Sequence, residues 1–304
     1  MDGRKALLIA GPTASGKSAL AVRAADQLGG IVINADSMAV YRDLSILTGR
    51  PEAADLARVP HRLYGHRDGA VPYSLGLWLA EADAEIRRAR RAGAVPVVVG
   101  GTGLFFKALT QGLSDIPAVP DEIRTRLRAE TAGLPSEVLH ARLAALDPLT
   151  AARLKPSDPQ RIVRALEVFV ATGRPLAAFQ MQRAVPVLPP AAWVGLVLAP
   201  EREALRRRID QRFDLMMARG ALGEVERLMR RKLDPALPVM RALGVPPLLA
   251  TLAGTLGLDD AVVRSKAETR AYAKRQTTFA RHQLPDFVWM RPEDADRSLA
   301  QLLG

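Results

Sequence analysis

The stretch GPTASGKS, Gly11 to Ser18, constrains the fold more than any other part of the chain. It directly follows the apolar run ALLIA (6–10) and opens a helix-forming segment (18–28). Placed between a buried strand and a helix, G-x-x-x-x-G-K-[ST] is a phosphate-binding loop, in which backbone N–H groups and the lysine hold phosphate and the serine hydroxyl binds Mg²⁺. The pattern does not identify the phosphate compound. We predict a phosphate site, with Ser18 as a Mg²⁺ ligand, made of Gly11, Pro12, Thr13, Ala14, Ser15, Gly16, Lys17 and Ser18.

Two further apolar runs have the length and composition of buried strands. IVIN (31–34) leads to Asp36, and VPVVV (95–99) leads to Thr102. Strands that alternate with helices predict a parallel α/β sheet. Ligands of such sheets lie outside the carboxyl ends of the strands, so we expect the phosphate loop, Asp36 and Thr102 to share one crevice.

The sequence pattern changes near residue 115, where the Pro-rich segment SDIPAVPDEI begins. Helical patterns follow, and a second Pro-rich joint, VPVLPP, leads to another strand-like run, WVGLVLAP (193–200). Later segments predict helices at 201–232 and 259–282 and a short strand at 287–290. We therefore predict a catalytic core made of residues 1–115 together with 190–304, and a mostly helical insertion domain at 116–189.

The charge balance is strongly basic, with 43 Lys and Arg against 32 Asp and Glu. A surplus of this size favours a polyanionic partner, although only 7 of the 43 are lysines and arginine-rich codon usage is an alternative explanation. The chain has no cysteine, which excludes disulfides, Cys-ligated zinc and Cys nucleophiles. With neither a signal-peptide pattern nor an apolar run of about 20 residues, the expectation is a cytoplasmic protein without a membrane segment.

Several long blocks together resemble the tRNA dimethylallyltransferases. They are LLIAGPTASGKS, IVINADSMAVYRDLSILTGRP, VVVGGTGLFFKAL, QRIVRALEV, RRRIDQRFDLMMARGALGEVERL and TRAYAKRQTTFAR, and they occur in the family's order over most of the chain. The resemblance implies a P-loop-kinase-like core with a helical insert. It implies transfer of a dimethylallyl group from dimethylallyl diphosphate to N6 of adenosine 37, beside the tRNA anticodon, with Mg²⁺ as cofactor.

The resemblance also assigns roles to individual residues. Asp36 matches the family's catalytic acid, which accepts the proton of the adenine amine, and Thr102 matches a threonine near that amine. Without the family, an N-cap explains Asp36 equally well, Thr102 can combine an N-cap with a place in the site, and a solvated helix face is the preferred interpretation of 160–164. The implied tRNA-binding residues are Asp36, Ser37, Met38, Ala39, Thr102, Arg124, Gln160, Arg161, Ile162, Val163, Arg164, Arg270 and Lys274.

Two positions depart from the family pattern. Ala39 stands where the family usually has a glutamine that helps to hold the target adenine. Gly244-Val245-Pro246 replaces the usual Gly-Tyr-Arg/Lys step, so an aromatic and a cation are missing there. The sequence therefore predicts altered base recognition or compensating side chains.

Three other functions fit parts of the sequence. A P-loop kinase would share the fold, but VPVVV ends in Gly-Gly-Thr instead of the acid that holds Mg²⁺ in such enzymes. A prenyltransferase of free AMP or ADP would lack the tRNA-facing blocks, and a non-catalytic RNA-binding protein would not need an intact phosphate loop. The preferred prediction is a tRNA-modifying transferase, and nothing in the sequence requires more than a monomer.

Overall fold

The computed structural model describes residues 5–114, 116–181, 185–295 and 297. The chain divides into two compact units. One comprises Met1–Thr110 and Val187–Gly304, and the other comprises Gln111–Pro186. Asp115, the predicted boundary residue, lies outside the described residues.

The first unit is built on a six-stranded parallel sheet, which confirms the predicted fold class. The strand order is β3-β2-β4-β1-β5-β6, so the phosphate loop leaves the sheet from an interior strand. The strands are β1 (Ala6–Ala10), β2 (Gly30–Asn34), β3 (His61–Arg62), β4 (Val95–Gly100), β5 (Trp193–Leu198) and β6 (Val288–Met290).

Helices cover both faces of this sheet because successive strand residues point to opposite sides. Leu7 and Ile9 pack with Leu20 of the helix after the phosphate loop. Leu8 packs in the opposite layer with Trp78 and Phe106. The helices of this unit are α1 (Lys17–Leu28), α2 (Ala53–Arg58), α3 (Leu75–Arg91), α4 (Gly103–Gln111), α10 (Arg202–Ala218), α11 (Ala221–Arg230), α12 (Val245–Leu252) and α13 (Leu258–Gln283).

The second unit is helical and has its own core. Leu127, Leu143 and Leu166 are among the buried side chains at its centre, so the unit buries apolar surface independently of the sheet. Its helices are α5 (Asp121–Thr131), α6 (Ser136–Leu146), α7 (Pro148–Ala151), α8 (Pro159–Thr172) and α9 (Leu176–Met181). The role predicted for this segment in binding tRNA stays a prediction.

Two elements differ from the pattern expected from the sequence. The helical segment 201–232 is two helices, because Gly220 adopts φ +92°, a conformation that favours glycine and ends α10. The Gly244-Val245-Pro246 step begins a helix that periodicity did not indicate. Gly244 is its N-cap with φ +85°, and proline is well accommodated in the first turn because no helical hydrogen bond is lost there.

Candidate active site

The phosphate loop has the open backbone that anion binding requires. Ala14 and Gly16 have φ values of +61° and +91°, and α1 begins at the next residue, Lys17. The first N–H groups of a helix have no partner within the helix, and its dipole is positive at this end. A diphosphate would therefore meet convergent N–H donors at this point.

Lys17 is held inside this loop. Its Nζ donates a hydrogen bond to the carbonyl oxygen of Pro12 at 3.1 Å. Burial, and to a smaller extent the charge of Arg212, lowers its pKa to about 8, while the charge of Asp36 opposes the shift. A bound diphosphate would supply the negative charge that this lysine lacks, and binding should therefore favour its protonated form.

Arg212, on α10, is a second cation in the same electrostatic cluster. Burial lowers its pKa, and the charge of Asp36 partly restores it. No site role was predicted for this residue from the sequence. The helical pattern did contain an indication that this arginine is partly buried. Arg212 stands between the buried residues Ile209 and Phe213, on what is otherwise an apolar face.

Asp36 is fixed by a side chain from the end of β2. Asn34 is buried, and its Oδ1 accepts the Asp36 N–H while its Nδ2 donates to the Asp36 carbonyl, both at 2.9 Å. Asp36 Oδ1 in turn accepts the N–H of Met38 at 2.9 Å. The N-cap explanation for Asp36 is wrong, because a turn follows and the next α-helix begins at Ala53.

Thr102 lies beside this turn, at the end of β4. Its Oγ1 accepts the backbone N–H of Ser37 at 3.1 Å, and its own N–H donates to the carbonyl of Ala35 at 3.2 Å. The two strand ends approach so closely that a Cβ on Gly100 would lie 2.0 Å from that carbonyl oxygen. Thr102 also precedes α4 and accepts the N–H of Phe105 on its carbonyl, so a capping position and a place in the site coexist.

Helix α13 ties these pieces together through Gln276. Its Oε1 accepts the N–H of Thr13 at 2.9 Å, and its Nε2 donates to the carbonyl of Gly101 at 2.9 Å. Tyr272 lies one turn earlier, within hydrogen-bonding reach of Thr102 and Gln276, and burial together with Asp36 raises its pKa to about 12. The sequence analysis did not assign a site role to Gln276 or Tyr272, although both stand in the block TRAYAKRQTTFAR.

A cavity of about 470 Å³ opens beside the loop. Ser18 and Arg212 line it together with Tyr64, whose pKa is raised by burial and by Asp36. Apolar side chains of Val22 and Met216 complete part of its wall. The cavity thus combines phosphate-binding groups with surface suited to a small alkyl group.

The remaining predicted residues of the first unit differ in accessibility. Ser37 and Met38 are half-buried in the turn after Asp36, whereas Ala39 is only 2% exposed. On α13, Lys274 is exposed, and Arg270 is half-buried and pairs with Asp210 of α10 at 2.5 Å. Arg270 is therefore already partly neutralised, and Ala39 does not present an open surface.

The other predicted tRNA contacts lie in the helical unit. Arg161 and Arg164 pair with Asp158 and Glu167, each at 3.3 Å, and Gln160 is exposed near the start of α8. Ile162 is fully buried in the core of this unit, so its side chain has a packing role. Two residues complete the set: Val163, which is partly buried, and Arg124, which pairs with Asp121 at 2.8 Å.

The side chains of the described residues do not by themselves form a metal cage. Within residues 5–114, 116–181, 185–295 and 297, no three His, Cys, Asp or Glu side chains are grouped to hold an ion. Ser18, exposed in the first turn of α1, has a hydroxyl of the kind that binds Mg²⁺ in phosphate loops. This fits Mg²⁺, which keeps several waters and binds through substrate phosphates more often than through an all-protein site.

Comparison with known families gives one consistent result. The IPP transferase family matches residues 39–283, and the isopentenyl transferase family matches residues 4–70. The tRNA dimethylallyltransferase of Methylocella silvestris is 64% identical to this chain and that of Beijerinckia indica is 59% identical, over 96% of each chain.

Solved structures agree with these sequence matches. A eukaryotic dimethylallyltransferase acting on tRNA is 28% identical, with a TM-score of 0.83 over 98% of this chain and 78% of its own. The tRNA isopentenylpyrophosphate transferase of Bacillus halodurans is 31% identical, with a TM-score of 0.70 over 99% of this chain and 94% of its own. Separately, no helix in the described ranges is long and apolar enough to cross a membrane.

Proposed function

The chain belongs to the IPP transferase family, and on that premise we propose that it transfers a dimethylallyl group from dimethylallyl diphosphate to N6 of adenosine 37 in tRNA. One observation carries the proposal. The acid Asp36 and the cations Lys17 and Arg212 form one electrostatic cluster at the phosphate loop. An alkyl transfer from a diphosphate needs both kinds of group next to each other.

The donor is proposed to bind with its diphosphate in the loop Gly11–Ser18. Backbone N–H groups, Lys17 and Arg212 would stabilise the negative charge that grows on pyrophosphate as the allylic C–O bond breaks. Mg²⁺, held by Ser18 and by the diphosphate, would supply further positive charge to the leaving group. Since the donor carries its own activated bond, ATP has no role in this reaction.

The acceptor is proposed to be an adenine that has left the stack of the anticodon loop. Its exocyclic N6 attacks the allylic carbon and forms the new N–C bond, while the electron pair of the broken C–O bond leaves with pyrophosphate. The N6 proton passes to Asp36, whose Oδ1 is already oriented by the Met38 N–H. Thr102 and Ser37, joined by a hydrogen bond, stand beside this carboxylate and would orient the amine.

The RNA itself is proposed to be held by the two remaining groups of predicted contacts. Lys274 and Arg270 on α13 would meet phosphates near the site. Arg124 and the residues at the start of α8, Gln160 to Arg164, would meet RNA from the helical unit. A protein that acts in this way would work in the cytoplasm, as a monomer with tRNA as its macromolecular partner.

The test is to identify the group that is transferred. Unmodified tRNA, dimethylallyl diphosphate and Mg²⁺ are incubated with the protein, and the nucleosides are analysed by mass spectrometry. We expect one five-carbon unit on an adenosine N6 for each pyrophosphate released, and severe loss of both with Lys17→Ala. Stoichiometric conversion of ATP to ADP without an alkylated nucleoside would instead support the kinase alternative.

A further inference from the structure

Glu224, in the first turn of α11, is a buried carboxylate that binds three consecutive backbone amides. Its Oε1 accepts the N–H of Ser45 at 2.6 Å and that of Ile46 at 2.9 Å, and its Oε2 accepts the N–H of Leu47 at 3.0 Å. The Ser45 hydroxyl donates to Oε1 as well, at 3.0 Å. The side chain is only 2% exposed, so these protein donors replace the hydrogen bonds that water would make to the carboxylate.

These contacts are specific for a carboxylate. Burial of a charge is costly unless hydrogen bonds compensate for it, and within the described parts of the chain neither lysine nor arginine forms an ion pair with Glu224. The amides of residues 45–47 therefore provide the compensation. A glutamine would keep one acceptor oxygen but would present an NH₂ donor to an amide that also donates.

The segment that Glu224 holds is a closed turn. The Thr48 hydroxyl donates to the carbonyl of Leu44 at 2.7 Å, the Gly49 N–H donates to that of Ile46 at 2.9 Å, and the Arg50 N–H donates to that of Ser45 at 3.0 Å. Ser45, Ile46 and Gly49 also line the 470 Å³ cavity beside the phosphate loop. The position of this wall therefore depends on the carboxylate behind it.

The turn ends against Arg212. Gly49 has φ +58°, and a Cβ built on it would lie 1.8 Å from Nη2 of Arg212. The guanidinium thus packs directly on the Gly49 backbone, in the space that a Cβ would occupy. Arg212 is the same cation whose charge lowers the pKa of Lys17 and whose own pKa, lowered by burial, is partly raised again by the charge of Asp36.

We infer that Glu224 is a positioning residue for the diphosphate, acting through the 45–49 turn and the guanidinium of Arg212. The inference rests on the proposed function for its substrate, but it concerns a buried residue outside the groups proposed to contact the donor or the RNA. It predicts an effect on one substrate only. Loss of the carboxylate should weaken the diphosphate end of the site and leave the RNA contacts unchanged.

The first experiment measures binding of inorganic pyrophosphate, with Mg²⁺ present, to wild type and to Glu224→Gln. We expect roughly tenfold weaker pyrophosphate binding and a similar rise in the donor KM, the loss typical of a hydrogen bond to a charged group. The Kd for tRNA should not change. Glu226→Gln is the matched control, because Glu226 lies on the same helix, has a side chain that is 47% exposed and pairs with Arg230 at 3.8 Å.

A double-mutant cycle separates positioning from general loosening of the fold. If Glu224 acts through Arg212, then Glu224→Gln should have little further effect on pyrophosphate affinity in the Arg212→Ala background. Equal fold-changes in both backgrounds, or a tRNA Kd that weakens as much as the pyrophosphate Kd, would overturn the inference.

Gly49→Ala provides a second variant if Glu224→Gln does not fold. The new methyl group meets only the guanidinium of Arg212 and adds backbone strain at φ +58°, so some stability is lost, but no backbone or core atom is displaced and pyrophosphate binding should weaken. Unchanged pyrophosphate binding by Gly49→Ala would also overturn the inference. A wild-type protein that binds pyrophosphate but alkylates no tRNA would contradict the proposed function alone. The comparison of pyrophosphate binding between the variants would still test the role of Glu224.

Discussion

The side chain of Gln276 connects the phosphate loop to the strand end that carries Thr102. Its Oε1 receives the Thr13 N–H and its Nε2 reaches the Gly101 carbonyl, both at 2.9 Å. Glycine is required at position 101, since a Cβ there would lie 2.1 Å from Nε2. Helix α13, which also carries Lys274, is thereby coupled to the donor site.

Gln276→Glu should impair this connection. The carboxylate can still accept from Thr13, but its second oxygen would face the carbonyl of Gly101 without a proton between them. A buried acceptor left unpaired costs about 1–3 kcal/mol, and we expect a comparable loss in kcat/KM for both substrates. Steady-state kinetics with each substrate varied in turn will measure it.

Gln283→Glu is the control for that prediction. Gln283 lies on the same helix and accepts a hydrogen bond from Lys107, which a carboxylate would accept equally well. Its kcat/KM should remain close to wild type. Equal kinetic losses in the two variants would show that any added charge on α13 is harmful. That result would contradict the proposal that Gln276 acts by connecting Thr13 to Gly101.

Asp36→Asn should slow the chemical step without weakening tRNA binding. Asparagine keeps the oxygen that accepts the Met38 N–H, so the turn should persist, but it cannot take the N6 proton. A positioned base contributes about 10²–10⁴ in rate, and a decrease of that size is expected in single-turnover transfer. Asp26→Asn, at an exposed ion pair with Arg58, is the control, and a single-turnover rate near wild type for Asp36→Asn would remove it from the mechanism.

Diphosphate affinity should fall above pH 8. Lys17 has a pKa of about 8 because it is buried beside Arg212, so below that pH it already carries its charge. Above that pH, binding must first bring a proton to the lysine, and Kd should rise by up to about tenfold per pH unit. Calorimetry with pyrophosphate in buffers of different ionisation enthalpy will detect this proton uptake.

Lys17→Arg provides the comparison, because pyrophosphate itself titrates in the same pH range. Arginine stays charged throughout, so the ligand's own titration is all that remains in this variant. The ratio of the wild-type Kd to the Lys17→Arg Kd should therefore rise as the pH increases above 8. Parallel curves for the two proteins would contradict the assignment of a lowered pKa to Lys17.

Affinity for tRNA should depend steeply on salt, and Lys274 should contribute most among its neighbours. Replacing a residue that binds phosphate flattens the slope of log K against log salt by about 0.7–0.9. Lys274→Ala should reach this value. Arg161→Ala, Arg164→Ala and Arg270→Ala should give smaller changes, because each of these arginines already shares its charge with a carboxylate.

Arg87→Ala is a control for charge alone, since Arg87 pairs with Asp83 on α3. Its salt dependence should match that of wild type. Slopes that stay unchanged in all four variants of the predicted contacts would show that these residues lie off the RNA path.

Ala39→Gln should destabilise the fold. The methyl group is 2% exposed, and inserting a long side chain into a packed position costs about 1–3 kcal/mol in the free energy of unfolding. Denaturant titration will measure the loss. Unchanged stability with a higher kcat/KM for tRNA would show instead that the amide reaches the target adenine.

Much of the site could be predicted because its residues stand at strand ends. The apolar runs of β1, β2 and β4 are short and are followed by Gly-Pro, Asn and Gly-Gly, so their carboxyl ends were visible in the pattern. From this we predicted that Asp36 and Thr102 lie beside the phosphate loop. In the structure, the Ser37 N–H binds Thr102, and Gln276 binds the Thr13 N–H of the loop. The two-residue strand β3 left no such signal, because it is too short to show a period.

The sequence by itself determined the parallel α/β class, the phosphate loop and the family, since these depend on local patterns and on residue order. Only the tertiary structure decided which distant side chains complete the site. Arg212 and Gln276 reach it, and Glu224 reaches the turn that forms one of its walls, all from helices remote in sequence from the loop. Periodicity shows which face of a helix is buried but not which neighbour it meets, because that depends on how the helices pack on the sheet.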